Sequence, residues 1–151
     1  KYSPIDAPVN GAYTCIAAGS DAFAVINTIT GMAIDIESQQ PFIGNDQGGL
    51  SGPAIKPIAI LKTHQVYQVA SKHRIPIIGQ GGIIKPEDAI EFLIAGASAV
   101  GIGTALFYDP LILPKINEGI INYMDRHNIQ NVSELTGCLK LNSQDYVNSC
   151  I

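Results

Sequence analysis

Two apolar segments, each ending in glycine, lie twenty-two residues apart: Ile75-Pro76-Ile77-Ile78-Gly79-Gln80-Gly81-Gly82 and Ala97-Ser98-Ala99-Val100-Gly101-Ile102-Gly103-Thr104. One short helix's worth of chain separates them, so the unit reads as strand, helix, strand, the signature of a parallel pair. Each segment stops on small residues, where a backbone can approach a ligand with no Cβ in the way, and free N–H groups beside a helix start suit a phosphate. A glycine-rich strand end taken singly is as often ordinary turn chemistry. Two of them one unit apart, with the Thr104 hydroxyl, bring two sets of backbone donors toward one spot and favour a phosphorylated cofactor.

The remainder of the chain repeats the pattern. Ala7 to Ala18 is placed as a helix, although Pro8 and Gly11 are poor helix formers. Ala22-Phe23-Ala24-Val25-Ile26-Asn27-Thr28 reads as a strand buried on both faces, with a polar end where chemistry would sit. Ile34 to Glu37 alternates with period two, Ser38 to Pro41 turns, and Phe42-Ile43 returns, which predicts a small hairpin followed by a flexible loop over 44–49. From Gly52-Pro53, apolar residues at helical spacing run to His73, interrupted around Lys62. Pro86, Glu87 and Asp88 make a favourable first turn for a helix closed by Gly96. Asp109-Pro110 opens another with Leu113, Ile116, Ile120 and Met124 on one side, and Asn131 with Glu134 forms a capping box for a last short helix ending at Gly137. Leu141 to Ile151 reads as a tail.

Strands alternating with amphipathic helices define an α/β fold, either doubly wound or a barrel. A doubly wound domain places its glycine-rich phosphate loop after the first strand, and nothing of that kind lies near residue 1. A (β/α)8 TIM barrel needs about 250 residues and commonly binds phosphate after its last two strands, beside a short extra helix. The 151 residues therefore read as the C-terminal half of such a barrel, carrying a small β-hairpin insertion. Lys1-Tyr2-Ser3-Pro4, with no initiator Met, reads as the end of a strand running into a turn, so the expectation is one unit, residues 1–151, of something longer.

Nine basic against thirteen acidic residues, for a net charge of −4, offer no basic face to a nucleic acid or an anionic membrane. The apolar runs fall well short of the ~20 residues of a membrane span, and no signal segment opens the chain, so the expected location is cytoplasmic. Cys15, Cys138 and Cys150 are widely and irregularly spaced, which fits neither a disulfide framework nor a zinc site. His64, His73 and His127 fall on or beside helix faces and read as surface or internally satisfied residues. No metal is expected.

The wording of these segments resembles the dihydroorotate dehydrogenases, the flavin enzymes of pyrimidine synthesis, over their C-terminal half. The residues responsible are Lys1 to Pro4, Ile26-Asn27-Thr28 with Gly31-Met32, Gly48 to Pro57, Ile75 to Ile83, Glu87-Asp88-Ala89 and Ala95 through Thr104, in family order over nearly the whole chain. The string Leu50-Ser51-Gly52-Pro53-Ala54-Ile55-Lys56-Pro57 looks most like the NAD-dependent, two-subunit branch. The resemblance implies FMN as cofactor, with Lys1 beside the flavin ring favouring its anionic reduced form, Ile26 packed at the ring, Gly52 next to it, and Gly81, Gly82, Gly103 and Thr104 cradling the ribityl phosphate. It implies that Asn27 and Thr28 hydrogen-bond dihydroorotate, whose oxidation yields orotate, and that the hairpin helps cover the site. It further implies a homodimer and an electron-transfer subunit carrying FAD and an iron–sulfur cluster.

Two departures stand against the family pattern. The helix after Lys1 is one residue shorter than usual, and the family's proton-abstracting base, a cysteine in this branch, lies on a loop upstream of the position matching Lys1. None of the three cysteines matches it, so the catalytic residue is unassigned and the piece is expected to work only with its missing half. Two other readings stay open: the related flavin domain of dihydropyrimidine dehydrogenase, and a non-catalytic phosphate-binding half-barrel.

Overall fold

A computed structural model describes residues 8–142. Its frame is a three-stranded parallel sheet formed by β1 (Phe23–Val25), β6 (Ile77–Gln80) and β7 (Ala99–Gly101), in that spatial order. Phe23 pairs with Ile77 and Val25 with Gly79, while Ile78 pairs with Ala99 and Gln80 with Gly101. The helices α2 (Lys56–Ala70) and α3 (Pro86–Ala95) lie between successive strands of this sheet, α1 (Pro8–Ala17) precedes β1 and packs on α2, and α5 (Ile112–Arg126) packs on α3. The α/β class and the parallel pair read from the sequence are present.

Burial alternates along the strands as the pleat requires. Phe23, Val25 and Ile77 are buried against the helices, whereas Ile78 is 40% exposed and Ala24 half-buried. The expectation that the first strand is buried on both faces is therefore corrected: among the described residues, helices cover one face only. Two apolar clusters sit on that face. One joins Ala12, Phe23, Val25, Val66, Val69, Ala70 and Ile77; the other centres on Phe92, with Ala59, Ile83, Ala89, Ala97, Ile112 and Ile116. Gly79 makes the second possible, because a Cβ there would stand 2.6 Å from a Phe92 ring carbon.

Local chemistry explains the helix limits. Pro8 opens α1, where its missing N–H costs nothing. α2 runs unbroken through Lys62, and the interruption in the apolar pattern is Thr63, fully buried with its hydroxyl donating to the Ala59 carbonyl at 2.9 Å. α3 starts at Pro86, and Asp88 Oδ2 accepts the Ile84 and Lys85 N–H groups at 3.0 and 3.2 Å, which satisfies donors that the first turn leaves open. α5 begins later than Asp109-Pro110. Asp109 instead folds the preceding turn, accepting from Leu111 N and Ile112 N, so the helix buries Ile112 and Ile116 and leaves Leu113 exposed. The Asn131–Glu134 capping box is present around a short 3₁₀ turn, Val132–Glu134.

Between β1 and α2 the chain builds a separate arm from two antiparallel ladders. β2 (Ile29–Gly31) pairs with β5 (Gly48–Leu50), and beyond them β3 (Ile34–Asp35) pairs with β4 (Gln40–Pro41). The hairpin exists, with its returning strand at Gln40–Pro41 rather than Phe42-Ile43. Asp35 sets this register by accepting from Glu37 N at 3.1 Å and Ser38 Oγ at 2.7 Å, which closes the turn early. The loop expected over 44–49 ends in β5. Among the described residues no helix is long and apolar enough to cross a membrane.

Candidate cofactor-binding site

The C-terminal ends of the three parallel strands open into one cavity of about 320 Å³, within the range of small-molecule sites. Ile26, Asn27 and Thr28 reach it from the end of β1, and Gly52 from the turn before α2. Gly81 and Gly82 follow β6, and Gly103 and Thr104 follow β7; all eight line the same space. Lys1 lies outside the described residues, as does Cys150. Cys15 is half-buried in α1 and Cys138 is exposed, both remote in sequence from the lining segments.

Each wall has a physical reason for its composition. Gly81 and Gly82 adopt φ of +136° and +75°, a region side chains rarely occupy, and a Cβ on Gly82 would stand 2.6 Å from the Gly52 carbonyl oxygen. The Gly82 loop can approach the Gly52 carbonyl only because Gly82 carries no side chain there, whereas Gly52 is demanded by its own φ of +92°, a Cβ on it meeting nothing within 4 Å. Gly103 is different: a Cβ on it would meet nothing within 4 Å, so its bareness leaves open space rather than relieving a clash. Among the described residues, the N–H groups of Gly81, Gly82, Gly103 and Thr104 donate to no protein acceptor, while Thr104 Oγ1 donates to Ser51 Oγ at 2.8 Å. No charged side chain lines the described part of the cavity. An anion here would be held by neutral N–H and hydroxyl donors, as in other backbone anion nests.

Asn27 and Thr28 are arranged by their own backbone. Asn27 Oδ1 accepts the Thr28 N–H at 2.9 Å, which leaves the Asn27 amide group free to donate. Thr28 sits where Gly49 of β5 makes room, since a Cβ on Gly49 would run into the Thr28 side chain. The antiparallel arm is thus rooted in the cavity: Thr28 precedes β2, Ser51 follows β5, and both line the site.

Several lining residues escape the sequence reading. Ser51 adds a second hydroxyl, Tyr108 ends the four-residue helix α4 (Ala105–Tyr108), and Gln80 donates through Nε2 to the Ile26 carbonyl at 3.0 Å. Gln80 had a signal, being the polar residue at the end of an apolar strand. Behind the Gly81–Gly82 loop, Lys56 Nζ lies 2.7 Å from both Asp88 Oδ1 and Glu91 Oε1, and Asp88 is 2% exposed. The Asp88 hydrogen bond, then that of Glu91, raises the Lys56 ammonium above its ordinary pKa. Since Asp88 also holds Ile84 N and Lys85 N, this ion pair anchors the loop that carries the two glycines to the start of α2. Among the described residues no group of three or more His, Cys, Asp or Glu could hold a metal ion.

A profile of the dihydroorotate dehydrogenase family matches residues 1–124. The chain is 48% identical over 140 residues to the catalytic subunit of dihydroorotate dehydrogenase B (NAD(+)) from Geotalea uraniireducens, covering 92% of this chain and 45% of that protein. It is 50% identical over 128 residues to the same subunit of Alkaliphilus oremlandii, covering 85% and 41%. The dihydroorotate dehydrogenase of Eimeria tenella, solved in complex with ferulenol, superposes with a TM-score of 0.72 at 26% identity, over 89% of this chain and 35% of that one. The chain therefore spans less than half the length of the relatives it matches. With the matched region running from the first residue through the whole cavity and most of α5, this chain belongs to the dihydroorotate dehydrogenase family.

Proposed function

We propose that residues 1–151 supply the C-terminal half of a (β/α)8 barrel, with the antiparallel arm as an insertion, in an FMN-dependent enzyme that oxidises dihydroorotate to orotate. The observation that carries this reading is the single cavity into which all eight of the expected residues that the structure describes converge at the strand ends, where ligands of parallel α/β folds bind. FMN, when bound, supplies the hydride-accepting chemistry. The unengaged N–H groups of Gly81, Gly82, Gly103 and Thr104 would hold its phosphate, and Gly52 and Ile26 would line its ring, with Lys1 beside it. The free amide group of Asn27 and the Thr28 hydroxyl would orient the carbonyl and carboxylate groups of dihydroorotate.

The proton-abstracting base belongs to a loop upstream of Lys1, and the arm covers the mouth from which it springs. The likeness to subunits named catalytic and NAD(+)-linked supports a second subunit carrying FAD and an iron–sulfur cluster, a homodimeric catalytic core and a cytoplasmic setting. The test is direct: purify the protein as its gene encodes it, record the flavin absorbance, and assay dihydroorotate oxidation. A protein that takes up no flavin even with added FMN defeats the reading. Gly103→Val fills open space without a clash, so it should abolish FMN retention while leaving the melting temperature within about 2 °C; unchanged flavin content in that variant would rule out the phosphate cradle.

A further inference from the structure

Gln80, the last residue of β6, ties Ile26, just past the end of β1, on one side and pairs with β7 on the other, at the level where the cavity begins. Its backbone carbonyl accepts the Ile26 N–H at 3.0 Å, and its side chain returns to the same residue, Nε2 donating to the Ile26 carbonyl at 3.0 Å. Both polar groups of the Ile26 backbone are thereby tied to one residue of β6. On the opposite side Gln80 pairs with Gly101 of β7, and a Cβ at Gly101 would stand 2.9 Å from Gln80 Oε1 and 3.3 Å from Gln80 Cβ. The carboxamide therefore lies in the gap that Gly101 leaves. Nε2 is the atom that meets a carbonyl, Oε1 is an acceptor turned toward Gly101, and both Gln80 and Gly101 line the cavity.

We infer that Gln80 is a positioning residue for the bound flavin nucleotide. Its carboxamide fixes the Ile26 wall relative to the Gly101–Thr104 wall and leaves Oε1 to accept a hydrogen bond from the cofactor. An aliphatic side chain of the same length would fill the space and leave the Ile26 carbonyl without its partner, on the wall where the ring is proposed to rest. The inference rests on the FMN reading above and goes beyond it, since the role falls to a side chain that the phosphate cradle does not require.

The experiment uses the complete gene product loaded with FMN and two variants. In Gln80→Met the FMN dissociation constant should rise about tenfold, and at saturating FMN the visible absorption bands of the bound flavin should shift. In Gln80→Glu an ionised carboxylate faces the Ile26 carbonyl and repels it, whereas a protonated carboxyl donates to it and restores the bond. FMN should therefore bind that variant more tightly at pH 5 than at pH 8, relative to wild type over the same range. Wild-type affinity and spectrum in Gln80→Met, or a Gln80→Glu profile parallel to wild type should Gln80→Met fail to fold, would overturn the role of Gln80 with the FMN reading intact. Absence of flavin from the wild-type protein would overturn both.

Discussion

The parallel sheet with its helices and the antiparallel arm differ in what holds them. Strand residues Phe23, Val25 and Ile77 and helix residues Phe92, Ala59 and Val66 are all at most 5% exposed. In the arm, not one residue from 29 to 50 is buried, and Ile34, Ile36 and Phe42 are 57%, 80% and 72% exposed. The first region is stabilised by apolar area removed from water. The second is held by short ladders and the Asp35 turn, which alone are marginal in water. The first region lines the cavity, and the arm meets it only at its root, through the flanking Thr28 and Ser51.

The sharpest way to break the contrast is to remove one phenylalanine from each region. Phe92→Ala empties a fully buried site between α3 and the sheet and should cost about 3–5 kcal/mol, read as a lowered denaturant midpoint. Phe42→Ala, on the exposed arm, should stay within about 0.5 kcal/mol. Similar losses in both variants would mean that the arm is packed as tightly as the sheet, and the comparison would fall.

A smaller effect is expected where the core meets the glycine loop. Lys56→Met leaves Asp88 buried beside Ile84 N and Lys85 N without its cation, a loss of about 2 kcal/mol for a pair with one partly exposed member. The sign with pH follows from the raised Lys56 pKa. Below the ordinary lysine value of 10.5 the folded and unfolded chains are both protonated there, and the stabilisation is complete. Above it the unfolded chain releases its proton first, and stability falls as pH rises through the folded value. Denaturation midpoints of wild type should therefore drop above pH 10.5 by more than those of Lys56→Met; parallel profiles would refute the coupling.

The two regions also differ in how far they could be read from sequence. The unit from β6 through α3 to β7 was legible because its signals are local: Pro86 at a helix start, Gly96 at its end, apolar residues at helical spacing between. Gly81, Gly82 and Gly103 were legible for the same reason, whereas Gly52 entered only through the family resemblance. In the arm, β2 and β5 pair across a separation that no local pattern marks, and Gly48-Gly49 reads as loop although Gly49 is the residue that makes room for Thr28. α4, with four residues, is too short for periodicity to declare itself. The reach of Gln80 to Ile26 and of Lys56 to Asp88 joins residues 54 and 32 positions apart, so the polar fastenings of the cavity needed the fold to be seen.

The smallest expected effect separates local order from global stability. Hydrogen bonds from Ser38 Oγ, first, and from Glu37 N hold the Asp35 carboxyl below its ordinary pKa. The contribution it makes to the turn is present above the ordinary carboxylate value and is lost as pH falls through the lowered one. Asp35→Ala should remove that dependence and speed amide exchange at Phe42, whose N–H donates to the Ala33 carbonyl across the hairpin. The denaturant midpoint should stay where it is, because nothing buried depends on the turn. Exchange at Ile78 and Gly79, inside the parallel sheet, should be unaffected, since local opening of an exposed ladder does not require the core to open. Faster exchange in both places would tie the arm to the sheet energetically, through the Thr28 and Ser51 root that the two share at the cavity.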